Sequence, residues 1–386
     1  MGLFRIVIIN LMVLFSLLFL ILITPPIAFK IYFFFKYGID NIQASDPRVD
    51  YDVYNDFNWA EKHYKEFDML ETCYKDFYVW RRCDFRGQTI NINNGIRNTK
   101  NFSNKAEKFI KFDQVSFFGG STMWGTGVSD DTTLPSIFAS QTNSRSLNYG
   151  ESGYIAIQEL LLLQNLLIEK KLKKNNLIIF YDGINEVLAR CRKDYNGLVT
   201  AQYDRINNIL EKNKVEDNKY SFRKLFLQVE MFLTAILKRI NGTPSKNISN
   251  NFNQINLTDV YDCDENKQKA EKVAKQLIHI WKMADKIIEL QEDKIIKILQ
   301  PVAYIGNPKI KYLSLTSTYH SEQAKQYLVV YPLIKKIAEE QNVKYYDLTD
   351  IYDECDDCYV DQFHVGPKAH KLLSKEIVNI IEKDYQ

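Results

Sequence analysis

"FFGGSTMWGTG", residues 117–127, is the stretch on which the reading of the fold turns. It follows a short apolar run, places four of the chain's 15 glycines around Ser121, and contains no lysine. A serine just beyond a buried strand sits where open α/β sheets keep their ligand crevice, outside the carboxyl ends of the strands. Glycines beside it let the backbone turn sharply and approach a substrate closely. A phosphate-binding turn is the competing use of such a loop. That use calls for a lysine before Ser/Thr, or for G-x-G-x-x-G opening a helix, and neither spacing is present.

Working outward, residues 115–120, 145–150 and 176–183 are short apolar runs, each ending in glycine. The leucine-rich stretch 154–174 between the second and third reads as a helix. The alternation resumes later, with strands expected at 293–304 and 343–352 and an amphipathic helix at 324–342 between them. After Pro367, apolar residues fall at Ala369, Leu372, Leu373, Ile377, Ile380 and Ile381, a 3.6-residue stripe that marks a last helix. Strands alternating with helices predict an α/β fold: a three-layer α/β/α sandwich around a mostly parallel sheet. No internal repeat interrupts this pattern.

The remaining chain divides by composition. Residues 6–29 carry no charged side chain, and as a helix they would extend about 36 Å, enough to cross the hydrocarbon core. Residues 1–30 are therefore expected to be a retained single-pass anchor. A cleaved signal peptide is the competing reading, although the apolar run is long for one and no clear small-x-small cleavage site follows. Residues 31–111, rich in Tyr, Asp and Asn, read as a juxtamembrane segment packing on a main domain at 112–386. A polar insertion at about 187–266, helical near 220–239, interrupts that domain and carries sequons at Asn241, Asn247 and Asn256.

Fifty basic against 48 acidic residues leave a net charge of +2, without the basic stripe of a nucleic-acid binder. The positive-inside rule nearly balances across the apolar run. Six cysteines with no redox or zinc-ribbon context favour disulfides and an extracytoplasmic main domain. Only the sequence-near pairs, Cys73 with Cys83 and Cys355 with Cys358, are expected to bond. A zinc site at Cys355-x-x-Cys358 lacks a second ligand pair. No cofactor or metal is expected; the acidic run 353–357 reads as a solvated turn.

Three further stretches stand at the same rim as Ser121: "NYGESGY" from Asn148, "YDGINEV" from Tyr181 and "YVDQFHVGPKAH" from Tyr359. This set, in this order, resembles the SGNH hydrolases, the GDSL-like esterases whose four sequence blocks supply serine, glycine, asparagine and histidine. The resemblance covers residues 113–386 apart from the insertion, and it implies a flavodoxin-like sandwich. Ser121 in "GGST" matches the nucleophile block, Gly150 in "NYGESG" the glycine block, Asn185 in "DGIN" the asparagine block, and Asp361 and His364 in "DQFH" the last. Two blocks depart from the common pattern, with Gly-Gly-Ser for Gly-Asp-Ser and Glu186 where Asp is common.

The chemistry leads the same way. An ester carbonyl needs a nucleophile, a base, a group to orient the base, and donors for the developing oxyanion. Ser121, His364 and Asp361 fill the first three roles; the backbone N–H groups of Ser121 and Gly150 and the Asn185 amide fill the last. The expected function is thus a membrane-anchored serine esterase acting on a small acyl or carbohydrate ester, an acylated envelope glycan among the candidates the resemblance implies. An O-acyltransferase using the same acyl-enzyme and a noncatalytic glycan-binding member are the alternatives. His63, His279, His320 and His370 are expected at the surface or as caps, and Trp124 and Tyr154 in a pocket wall or the core.

Overall fold

The computed structural model describes residues 9–10, 12–14, 46–100, 110–193, 195, 197, 260–291, 293–313, 315 and 317–385. The chain divides into two units, Met1–Ala44 with Asp204–Ile255, and Ser45–Tyr203 with Asn256–Gln386. Within the first, residues 9–10 and 12–14 are helical; the rest of the expected anchor lies outside the described residues, as do the helix near 220–239 and the three sequons. Among the described residues no helix is long and apolar enough to cross a membrane.

The second unit is built on a mostly parallel sheet. Its centre is β6 (Gln114–Gly119) and β8 (Asn176–Asp182), paired in parallel from Gln114 opposite Asn176 to Gly119 opposite Tyr181. Every residue of both strands is buried, as expected of parallel strands covered on both faces. β7 (Ser146–Asn148) joins one side of β6; β9 (Lys294–Leu299) and then β10 (Tyr346–Asp347) follow β8, all in parallel. Val115, Phe117, Leu177, Ile179 and Tyr181 share one core with Leu134 and Phe138 of α3 (Leu134–Thr142) and Ala369, Leu373 and Ile377 of α8 (Pro367–Asp384). Side chains alternate along a strand, so Phe118, Ile178 and Phe180 face the other side, where α4 (Ala156–Ile168) lies over β6 and β8. α6 (Lys267–Glu289) packs on α4 and on α7 (Thr318–Glu340). The buried stripe of α6, Ala270, Val273, Ala274, Leu277, Ile278, Trp281, Ala284 and Ile288, has the helical period.

Three findings differ from the sequence reading. The strand expected at 343–352 pairs over only two residues, because the Asp347 carboxylate accepts from the Thr349 N–H and hydroxyl and turns the chain. Residues 46–100 are built into the same unit as the parallel sheet. They supply helix α1 (Ala60–Asp68), the hairpin β1 (Thr72–Lys75) and β2 (Val79–Arg82), and β3 (Phe85–Arg86), β4 (Asn91–Asn93) and β5 (Ile96–Arg97), which continue the sheet antiparallel beyond β7.

The third concerns cysteine. Cys73–Cys83 and Cys355–Cys358 are bonded, and so is Cys191–Cys263, across 72 positions. This last bond, together with the Lys193 N–H to Val260 carbonyl and Asp262 N–H to Cys191 carbonyl bonds, closes the neck of the insertion. Its sequence-distant partners left no spacing signal.

Candidate active site

Ser121 opens the short helix α2 (Ser121–Trp124) directly after β6. Its N–H, at the first helical position, has no carbonyl partner within the helix. The glycines around it have separate tasks. A Cβ on Gly120 would stand 2.2 Å from Asn185 Nδ2, so the absence of a side chain lets the asparagine reach this loop. Gly125 ends the helix at φ 97°, a conformation that side chains disfavour. The chain that follows wraps a buried guanidinium: Arg97 donates to the carbonyls of Trp124 (3.0 Å), Gly125 and Val128 (2.6 Å) and to Asp130 Oδ1 at 3.0 Å. Arg97 is fully buried and stacks over Trp124, 4.3 Å from its ring centroid. A charge so deep is sustained by the carboxylate and by full use of its donors.

His364 reaches this loop from 243 positions away. Its Nε2 lies 2.7 Å from Ser121 Oγ, and its Nδ1 lies 2.8 Å from Asp361 Oδ2. The turn carrying both residues is tightly held. Asp361 Oδ1 accepts from the N–H groups of Phe363 (2.9 Å) and His364 (2.8 Å), and Tyr359 and Val365 pair across its base. With Nδ1 against a carboxylate, the imidazole carries its proton there and offers Nε2 as acceptor to the serine hydroxyl. Burial pushes the Asp361 carboxyl up, but His364, its hydrogen bonds and the Arg48 guanidinium outweigh this and hold it well below the usual carboxylate range.

Asn185 is in the first turn of α5 (Ile184–Arg190), beyond β8. Its amide donates to the Tyr154 carbonyl at 2.7 Å, leaving the second Nδ2–H for the space beside Gly120 and Ser121. Gly150 lies where a Cβ would come 2.5 Å from the Trp124 nitrogen, so the turn just past β7 meets α2 backbone to backbone. Its N–H donates to Asn148 Oδ1 at 3.0 Å, while Asn148 Nδ2 donates to the Met123 and Trp124 carbonyls. Gly150 N–H is therefore held by a side chain, and Asn148 ties the glycine block to α2.

Glu186 occupies a place behind Asn185. Its carboxylate accepts from the N–H groups of Ala156 (2.6 Å) and Gly183 (3.1 Å), pinning the asparagine turn to the start of α4. Asp182 accepts from Trp281 Nε1 at 2.7 Å. Burial, then neighbouring carboxyls, push Glu159 up, and burial with Glu186 pushes Asp182 up to about 8; burial also raises Glu186.

Two histidines depart from the expectation. His63 and His370 are buried, not at the surface: His63 Nε2 accepts from the Gly127 N–H at 3.1 Å, and His370 Nδ1 bonds the Thr132 carbonyl at 2.9 Å. Burial lowers both from the usual histidine range, His370 to about 4. His320 is half-buried against the Tyr304 hydroxyl, and His279 is exposed. Trp124 and Tyr154 are buried. Among the described residues no group of His, Cys, Asp and Glu is arranged to hold a metal ion.

No family model and no curated protein matches the chain. Among solved structures it is similar to a member of the lipolytic protein G-D-S-L family from Veillonella parvula, at 12% identity over 70% of this chain and 98% of that one, with a TM-score of 0.38. It is also similar to the acetyl xylan esterase AlAXEase (12% identity, 69% and 99% covered, TM-score 0.34). A third is the psychrotrophic esterase EstA from Pseudoalteromonas sp. (13% identity, 70% and 97% covered, TM-score 0.33).

Proposed function

We propose that the chain is an ester-bond hydrolase of the SGNH kind in which Ser121 is acylated and then released by water. One observation carries this reading: a serine hydroxyl, an imidazole and a carboxylate stand in line, at 2.7 and 2.8 Å, at the carboxyl rim of a parallel sheet. Ser121 Oγ attacks the ester carbonyl while its proton passes to His364 Nε2. Asp361 holds the ring and stabilises the imidazolium that forms. The oxyanion is met by the Ser121 N–H, the free Nδ2–H of Asn185 and the Gly150 N–H that Asn148 shares. His364 then protonates the leaving alcohol, and the same groups run in reverse with water to free the acid.

The proposed substrates are short acyl esters, an acetylated envelope glycan among them. The proposed setting is extracytoplasmic, on a single-pass N-terminal anchor. Three disulfides, one closing a 72-residue span, and the charge-free run 6–29 support this placement. Steady-state hydrolysis of p-nitrophenyl acetate by the wild-type chain and by Ser121→Ala tests the reading. Turnover lost with the hydroxyl supports it; equal turnover in both chains refutes it.

A further inference from the structure

Asp46–Arg48 is far from the catalytic turn in sequence and reaches it in space. Asp46 caps the short 3-10 turn Pro47–Asp50, with Pro47 fixing its start. Asp46 also grips Arg48 twice: Oδ1 accepts from Nε at 2.9 Å and Oδ2 from Nη2 at 2.7 Å. The guanidinium lies over the Tyr64 ring, 4.3 Å from its centroid. So held, Arg48 presents Nη1 to Asp361 Oδ2 at 3.4 Å, across 313 positions.

We propose that Arg48 is a positioning residue of the reaction: it keeps the Asp361 carboxylate turned toward His364 and offsets its charge, so that the imidazole is free to act as base at lower pH. The inference rests on the reading of Ser121 as nucleophile. Asp361 Oδ1 is fixed by two backbone N–H groups and the ring, whereas Oδ2 meets the ring on one side and Arg48 on the other. A carboxylate facing an imidazole alone stabilises the protonated ring, which cannot accept the serine proton. A guanidinium behind it draws part of that attraction away and repels the imidazolium directly, both in the same direction. Arg48 keeps its charge at every working pH.

Burial disfavours the charged forms of the other titratable groups beside the carboxylate. Tyr54 and Tyr64, hydroxyl to hydroxyl at 2.7 Å on the Arg48 side, are pushed up by burial, and so is Tyr304. His320, bonded to Tyr304, is moved below the usual histidine range by burial, against the pull of Asp361. Behind Arg48 stand two further carboxyls, Asp46, ion-paired with the guanidinium at 2.7 Å, and Asp68, whose carboxyl burial and Asp46 push up.

The test follows the rate at which a fluorophosphonate labels Ser121 between pH 5 and 9, in the full-length wild type, Arg48→Gln and Arg48→Lys. In Arg48→Gln the acid limb should rise by about half a pH unit, and the plateau rate should fall about tenfold. Arg48→Lys, which keeps the charge but loses the fork, should retain the wild-type limb with a lower plateau. An unshifted limb in Arg48→Gln overturns the proposal, whether the plateau is normal or reduced, provided the wild type labels. A wild type that does not label removes the nucleophile reading, and this inference with it. Should Arg48→Gln not fold, a limb displaced in Arg48→Lys by as much as half a unit overturns the proposal, and an unmoved limb with a reduced plateau supports it.

Discussion

The Nδ2 of Asn185 fills the space a side chain on residue 120 would need, 2.2 Å from where that Cβ would be. Gly120→Ala should therefore push the amide off the rim and disturb the Ser121 N–H at once. The expected outcome is a fall in kcat of about 10²–10³, close to that of Asn185→Ala, with KM little changed. Initial rates on p-nitrophenyl acetate check it, and a Gly120→Ala chain of normal kcat would remove Asn185 from the oxyanion site.

Asp361→Asn leaves the turn's shape but offers an amide to His364 Nδ1, which selects the wrong tautomer. A loss of kcat of about 10³–10⁴ is expected, with the thermal midpoint near that of the wild type. Activity within tenfold of the wild type would exclude the carboxylate from orienting the base.

Arg97→Met leaves Asp130 buried without its ion partner and removes the guanidinium bonds to four carbonyls, of Thr89, Trp124, Gly125 and Val128, the first three of which keep a second donor. The variant should lose about 3–5 kcal/mol in urea unfolding. Asp130→Asn added to it should recover part of that loss, because the orphaned charge goes with it. Additive losses in the double variant would contradict the pairing.

Asp182, pushed up to about 8 by burial and by Glu186, holds a proton in the folded chain that the unfolded chain has already released above about pH 4. Unfolding then releases that proton, so this group's stabilisation is greatest in acid and is lost as pH rises toward 8. Asp182→Asn, which still accepts from Trp281 Nε1, should unfold at a higher temperature than the wild type at pH 8 and show a smaller gain at pH 5. An advantage independent of pH would contradict the assignment.

What could be read from the residues was what has local periodicity or a local break. The buried strands around Ser121 and Asn185, the stripe after Pro367 and the short blocks at strand ends all leave such marks. β3 and β5, two residues each, have no period to detect. Arg97 with Asp130 and Arg48 with Asp361 are long-range ion pairs whose members look like any surface charge in the sequence. His63 and His370 looked like surface residues because nothing local shows that a backbone partner, Gly127 N–H or Thr132 carbonyl, waits for each in the core. Asn148 did stand in the quoted glycine block, but only the close meeting of β7 and α2 gives it carbonyls to bind. Cys191 and Cys263 face each other because the neck of the insertion closes there, which no spacing announces.

Everything catalytic depends on whether the hydroxyl beside His364 Nε2 is chemically activated. Peptide mass mapping after exposure of the native chain to a fluorophosphonate measures this directly. The expected result is a single phosphonate adduct on Ser121, formed quickly in the wild type and at least a thousandfold more slowly in His364→Ala. An adduct on a different residue, or equal labelling rates in the two chains, would contradict the assignment of Ser121 and His364 as nucleophile and base.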